Sequence, residues 1–232
     1  MGEGWILDEL AHAGPEHLDP SFVDGYDRKQ GEPDPGDDIA LLAANGVGPD
    51  GTVVDLGAGT GQFALAAAKA FSRVVAVDVS PAMIEWLRRR GAALPGLACV
   101  QAGFLSYQHR GAPADAVYTR NALHHLPDFW KAMALVRMAA ILRPGGVLRL
   151  HDLIYDFEPS QAEDVLDRWL DTPVTDPALG YTRADLAEHV RTEHSTFRWL
   201  LEPMLAAAGF EIMTADFAGA VYGAYTCVRR QG

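Results

Sequence analysis

The ten residues VVDLGAGTGQ, 53–62, constrain this chain's fold more than any other stretch. A short β-branched run, TVVDL at 52–56, ends on a glycine-rich turn, and the FALAAAKAF that follows is helical by propensity. A strand that enters a helix through Gly57, Gly59 and Gly61 bares backbone that a ligand can approach closely. The spacing is GxGxG followed by Gln62, not the GxGxxG whose last glycine packs helix on strand in dinucleotide sites. Asp55 stands two residues before the first glycine. A carboxylate there repels a pyrophosphate but suits an ammonium group or a hydroxyl. The turn therefore predicts a ligand that brings a cation or hydrogen-bond donors.

The same rhythm continues downstream. VVAVDV, 74–79, predicts a second buried strand. Ser80 as N-cap, Pro81 at the first helical position and Gly91 as a stop frame the helix PAMIEWLRRR. LACVQ at 97–101 and AVYTR at 116–120 read as the third and fourth strands. A helix from about Asp128 to Leu142 should end at the RPGG turn, ahead of a fifth strand, VLRLHDLI, at 147–154. Strands alternating with helices at this interval predict βαβ units, and their near-continuous apolar character predicts a sheet covered on both faces.

The two ends depart from that pattern. Residues 158–208 read as three helices with no strand between them, Thr182 and Asp185 forming a capping box on the second and Pro203 kinking the third. FEIMTA and the run 222–228 predict a closing hairpin after Gly209, and residues 1–45 read as short helices around the break EPDPGDD. The expected architecture is three-layer α/β, with a seven-stranded, mostly parallel sheet and an antiparallel last strand. Residues 1–46 would form an N-terminal helical cap and 47–232 the main domain, with a helical insert at 158–208 serving as a lid.

Composition narrows the function. The 232 residues carry a formal net charge of -12, which repels phosphates and anionic lipid. The one basic cluster, Arg88 to Arg90, lies on a helix face expected to be solvated, so neither a nucleic-acid nor a membrane partner is expected. Cys99 and Cys227 show no metal or redox spacing and read as buried reduced thiols; no metal is expected. The acidic N-terminus lacks a secretory pattern and no apolar run is long enough to span a bilayer, which makes the cytoplasm the default. No interface signal indicates an oligomeric state.

DLGAGTG followed by VVAVDVSPAMI resembles motifs one and two of the Rossmann-like (class I) S-adenosylmethionine-dependent methyltransferases of the small-molecule type. NALHHLPD and LRPGGVLRLHDL resemble that family's strand-four and strand-five signatures, so the likeness covers about 51–153. The resemblance implies that Gly57, Ala58, Gly59 and Gly61 line the methionine and ribose, with Asp55 near the amino group through water. It implies that Asp78 accepts from both ribose hydroxyls, that Val79 and Met83 flank the adenine, and that the Asn121 backbone meets the methionine end. Tyr26 and Lys29, in FVDGYDRKQG, resemble the N-terminal segment that covers the cofactor in relatives. One position departs from the pattern. Relatives carry a Gly-Asp-type pair after the third strand whose carboxylate accepts from the adenine amine, whereas this chain has Ala102-Gly103-Phe104. Adenine recognition should then rest on the backbone around Gly103 and on Phe104.

The activity so implied is methyl transfer from S-adenosylmethionine to O, N or C of a small-molecule acceptor. Such a displacement needs alignment and dryness above all, and a base only for a protonated nucleophile. His124, His125 and His151 follow strands at the sheet's carboxyl edge and are the candidate bases. His189, Glu193 and His194 join them if the insert closes over the site. Trp130, Trp169, Trp199 and Phe197 read as core anchors or as the wall of an aromatic acceptor pocket. Two other readings remain at this level: a catalytically silent cofactor-binding scaffold, suggested by Gly103, and a nicotinamide-dependent oxidoreductase, opposed by Gln62 and Asp55.

Overall fold

Strands β1 (Thr52–Leu56), β2 (Arg73–Asp78), β3 (Leu97–Gln101), β4 (Ala114–Arg120) and β5 (Leu142–Tyr155) lie parallel in the order β3-β2-β1-β4-β5. The computed structural model describes residues 4–14, 17–18, 23, 27, 34–172, 174, 176 and 180–231, so the expectations for Tyr26 and Lys29 fall outside the described residues. The closing hairpin, β7 (Phe210–Ala218) and β8 (Tyr222–Arg229), adds to β5 antiparallel through β8. The helices are α1 (Gly36–Ala44), α2 (Gln62–Ala70), α3 (Pro81–Arg90), α4 (Asp128–Ile141), α5 (Ala162–Leu170), α6 (Arg183–Thr192) and α7 (Arg198–Ala207).

Alternation along the strands builds the layers. Val53, Val74, Ala76, Ala116 and Tyr118 face Leu42 of α1 and Phe63, Ala64 and Ala67 of α2. Their neighbours Val54, Val75, Val77 and Val117 face the opposite side, with Leu135 and Met138 of α4 and Leu201 and Leu205 of α7. A third cluster, around Leu153, Tyr155, Val165, Trp169 and Val221, seats the late helices. Among the described residues no helix is long and apolar enough to cross a membrane.

Local chemistry sets the element ends. Ser80 Oγ accepts the Met83 N–H at 3.1 Å, and Thr182 with Asp185 forms the capping box that opens α6. Three expectations need correction. The tail does contain a strand, β6 (Thr196–Phe197), parallel to β5 at Ile154 and Tyr155. Two residues leave no period to read; they pair here because β5 extends past its last β4 partner, His151, and offers a bare edge. RPGG is not a turn ahead of the strand but lies inside β5, where the register jumps between Ala114↔Leu142 and Ala116↔Val147. A bulge absorbs the proline and glycines. Trp199 is no core anchor: it is 53% exposed and stacks on Phe197, whereas Trp169 is buried.

One polar knot joins the N-terminal part to the sheet. Asp38, buried on α1, accepts from Arg149 Nε at 2.8 Å, His151 Nε2 at 2.8 Å and Tyr118 Oη at 3.0 Å. Burial works against the carboxylate, but the hydrogen bonds and charges of His151 and Arg149 hold its pKa well below the usual carboxylate range. A depressed folded-state pKa contributes stability above the unfolded value and loses it as pH falls. Asp38→Asn should therefore cost roughly 3–5 kcal/mol near neutrality. Melting curves should show the gap to the parent narrowing below about pH 4.

Candidate functional site

The carboxyl ends of β1, β2, β3 and β4 meet one open cavity. Gly57 and Gly59 turn the chain out of β1 with φ of 73° and 53°, in the left-handed region that glycine tolerates. A side chain on Gly57 would collide with the Ala122 methyl, so the turn packs its bare backbone against that side chain in the loop after β4. Asp55, Gly57, Ala58 and Gly59 line the first wall. Asp78, Val79 and Met83 line the second, Gly103 and Phe104 the third, and Asn121 and His125 the fourth. Gly61 does not line the cavity. At φ 87° it opens α2, and a Cβ there would stand 2.6 Å from Leu87 Cδ1, so its role is packing.

Asp78 is held by the turn it faces: Oδ2 accepts the Gly59 N–H and Oδ1 the Ser80 N–H, each at 2.8 Å. Burial raises its pKa, with those N–H groups and His125 pulling the other way. Asp55 is raised further, first by burial and then by the Asp78 charge. Two such carboxylates in one cavity call for a ligand that brings donors and positive charge. Arg120, from the end of β4, is the one guanidinium among the described lining residues.

The sequence held no signal for part of the lining. Glu9, Ala13 and His17 close one side of the cavity from the N-terminal region, without period or motif to mark them. The His17 carbonyl accepts from Ser80 Oγ at 2.6 Å, and its imidazole is lowered to about 4 by burial and the His125 and His124 charges.

The three candidate histidines separate sharply. His125 lines the cavity, and its Nδ1–H donates to Glu193 Oε2 at 2.9 Å. His124 points away from it: its Nδ1–H donates to buried Asp152 at 2.5 Å, and the same carboxylate accepts the Leu123 and His124 backbone N–H groups. Burial opposes the charged His124 ring, but Asp152 raises its pKa above the ordinary imidazole value. His151 belongs to the Asp38 knot and does not line the cavity. Glu193 arrives from just past α6, where the His194 N–H donates to the His124 carbonyl at 2.8 Å and Lys131 Nζ bonds the His194 carbonyl. His189 packs its ring 4.9 Å from that of His124 and is lowered to about 4, by burial first and the His124 charge second. His124, His125 and Glu193 bring ligand-capable atoms within 4.8 Å of one another, a set chemically able to take a divalent cation.

A family profile described as a methyltransferase domain matches residues 53–146, the segment that builds all four of these walls. A trans-aconitate 2-methyltransferase of Methylobacterium radiotolerans is 39% identical over 97 residues, 41% of this chain and 35% of that protein. An uncharacterized methyltransferase of Exiguobacterium sibiricum is 29% identical over 180 residues, covering 77% of this chain and 76% of that one. Against several other curated relatives the match spans about half of their length or less. Among solved structures, the magnesium protoporphyrin IX methyltransferase of Synechocystis, holding S-adenosylmethionine, superposes with a TM-score of 0.64 at 15% identity, over 98% of this chain and all of that one. At that identity the likeness speaks for the fold alone.

Proposed function

We propose that this chain, which belongs to the class I S-adenosylmethionine-dependent methyltransferase family, methylates a protonated O, N or C nucleophile on a small metabolite, with His125 as the base. The observation that carries the reading is one cavity holding both a pinned acceptor, Asp78 on the glycine turn, and an oriented imidazole, His125 on Glu193.

The residues present fit S-adenosylmethionine. Asp78 already spends one lone pair of each oxygen on a backbone N–H, and its remaining pairs suit the cis-diol of a ribose. Gly57, Ala58 and Gly59 leave room for close backbone approach, and Val79, Met83 and Phe104 offer apolar cover to a flat base. Asp55 and Arg120 together suit the ammonium and carboxylate of an amino acid. The bound cofactor supplies an electrophilic methyl on a sulfonium, with a neutral thioether as leaving group. The chain's own work is alignment, exclusion of water and removal of one proton. His125 Nε2 takes that proton from the acceptor, while Glu193 holds the Nδ1–H and faces the resulting imidazolium. Residues 1–46 act as a cap through Glu9, Ala13 and His17, and the 158–208 insert closes the acceptor end through Glu193. A carboxylated acceptor is one specific candidate, since a relative carries the name trans-aconitate 2-methyltransferase.

Calorimetric titration should show binding of S-adenosylmethionine and S-adenosylhomocysteine, and a panel of hydroxyl, amine and carboxylate metabolites should release S-adenosylhomocysteine. Binding without turnover on any acceptor would return the silent-scaffold reading. NADH binding in place of S-adenosylmethionine would return the oxidoreductase.

A further inference from the structure

Glu9 is 9% exposed, yet among the described residues it has no basic partner. Its Oε1 accepts the Leu105 N–H at 3.0 Å and its Oε2 accepts Ser106 Oγ–H at 3.1 Å, across 96 and 97 positions of sequence. The carboxylate lies directly over Gly103: a Cβ built on that glycine falls inside the Glu9 carboxyl group, touching all three of its heavy atoms. Gly103 has no left-handed φ, so its backbone accepts other residues, and the space claimed by Glu9 is what calls for glycine there. The Ser106 hydroxyl, which accepts the Gly103 N–H at 2.8 Å, completes the seat. Burial raises the Glu9 pKa while the surrounding N–H and O–H donors oppose the rise.

Glu9 also lines the ligand cavity, against Gly103, and the same cavity is lined by Val79, Met83, Ala102 and Phe104. An ionised carboxylate only accepts, so whatever meets it there must donate. In S-adenosylmethionine the apolar-walled end belongs to the base, and the base has one strong donor, its exocyclic amine. We propose that Glu9, delivered from the N-terminal region onto the vacant face of Gly103, reads the adenine amine and makes the site selective for adenosyl over 6-oxopurine ligands. The proposal rests on the reading of the cavity as an S-adenosylmethionine site and names the specificity-determining residue within it.

The test compares S-adenosylhomocysteine with S-inosylhomocysteine, in which a carbonyl acceptor replaces the amine. The parent should prefer the adenosyl ligand by about tenfold or more, the scale of one charge-assisted bond gained against an acceptor–acceptor clash. Glu9→Gln, whose amide both donates and accepts, should shrink that ratio by about tenfold or more while melting near the parent. Glu9→Ala should also lose the preference, and Glu9→Ala with Gly103→Asp should regain it, because the new side chain grows into the seat Glu9 has left. An unchanged ratio in Glu9→Gln, or equal losses for both ligands, overturns the proposal. A parent that binds neither ligand overturns the cofactor reading instead, so the two failures are distinguishable.

Discussion

Asp78→Asn should weaken S-adenosylmethionine and S-adenosylhomocysteine binding by roughly 10²–10⁴-fold, measured by calorimetry. The magnitude is that of two hydrogen bonds from ligand hydroxyls to a charged acceptor, each about 1.5–3 kcal/mol. Asparagine cannot reproduce the site, because both carboxylate oxygens already accept a backbone N–H, from Gly59 and from Ser80. An amide NH₂ must turn a donor toward one of those donors or swing out of the site. Stability should move the other way with pH. Burial raises the Asp78 pKa, and Asp55 is raised by burial and by Asp78 itself. A raised carboxyl pKa means that the folded state keeps its proton longer than the unfolded chain, so stability falls as pH climbs past the unfolded value. The melting-temperature difference between variant and ligand-free parent should thus shift in the variant's favour from pH 4 to pH 7. A variant that binds like its parent would remove Asp78 from the site.

The contrast between Asp78 and Glu9 shows why part of this molecule could be read from its sequence and part could not. Gly57, Gly59, Asp78 and Ser80 act within strand–turn–helix units, so their spacing along the chain is already their geometry, and the βαβ rhythm follows from the same locality. Glu9 and Asp38 act across 96 and 111 positions, as single polar residues with no period around them. Nothing local distinguishes them from surface acids, and only the closed fold shows what each one touches. Adjacent histidines were opaque for a related reason. His124 and His125 share the short helical turn Leu123–His125, which sends the first ring to Asp152 and the second to Glu193. The sequence places both rings at the sheet's carboxyl edge but carries no mark of which one enters the cavity. Pro144, Gly145 and Gly146 misled in the opposite direction. Such residues punctuate most chains, yet here a bulge keeps the strand running through them.

That difference in partners predicts opposite outcomes for neighbouring substitutions. His125→Ala should lower kcat on a hydroxyl or amine acceptor by roughly 10²–10⁴-fold, the usual contribution of a positioned base. Cofactor affinity should stay within a few-fold of the parent, since the imidazole acts on the acceptor, and added imidazole should restore part of the rate. His124→Ala should instead lower the melting temperature: it strands Asp152, a buried carboxylate whose low pKa, opposed by burial, depends first on His124. Glu193→Gln should lower kcat with little change in KM, because it keeps a hydrogen-bond acceptor but removes the charge facing the imidazolium. Burial works against the Glu193 carboxyl, but His125, followed by His124 and His189, holds it below its ordinary value, so it stays ionised throughout a neutral assay. A chelator decides between this base and the cation that His124, His125 and Glu193 are chemically able to bind. Activity unmoved by chelation keeps His125 as the base. Activity lost with chelator and restored by a divalent metal would make the same three side chains ligands, leaving the proton to another acceptor.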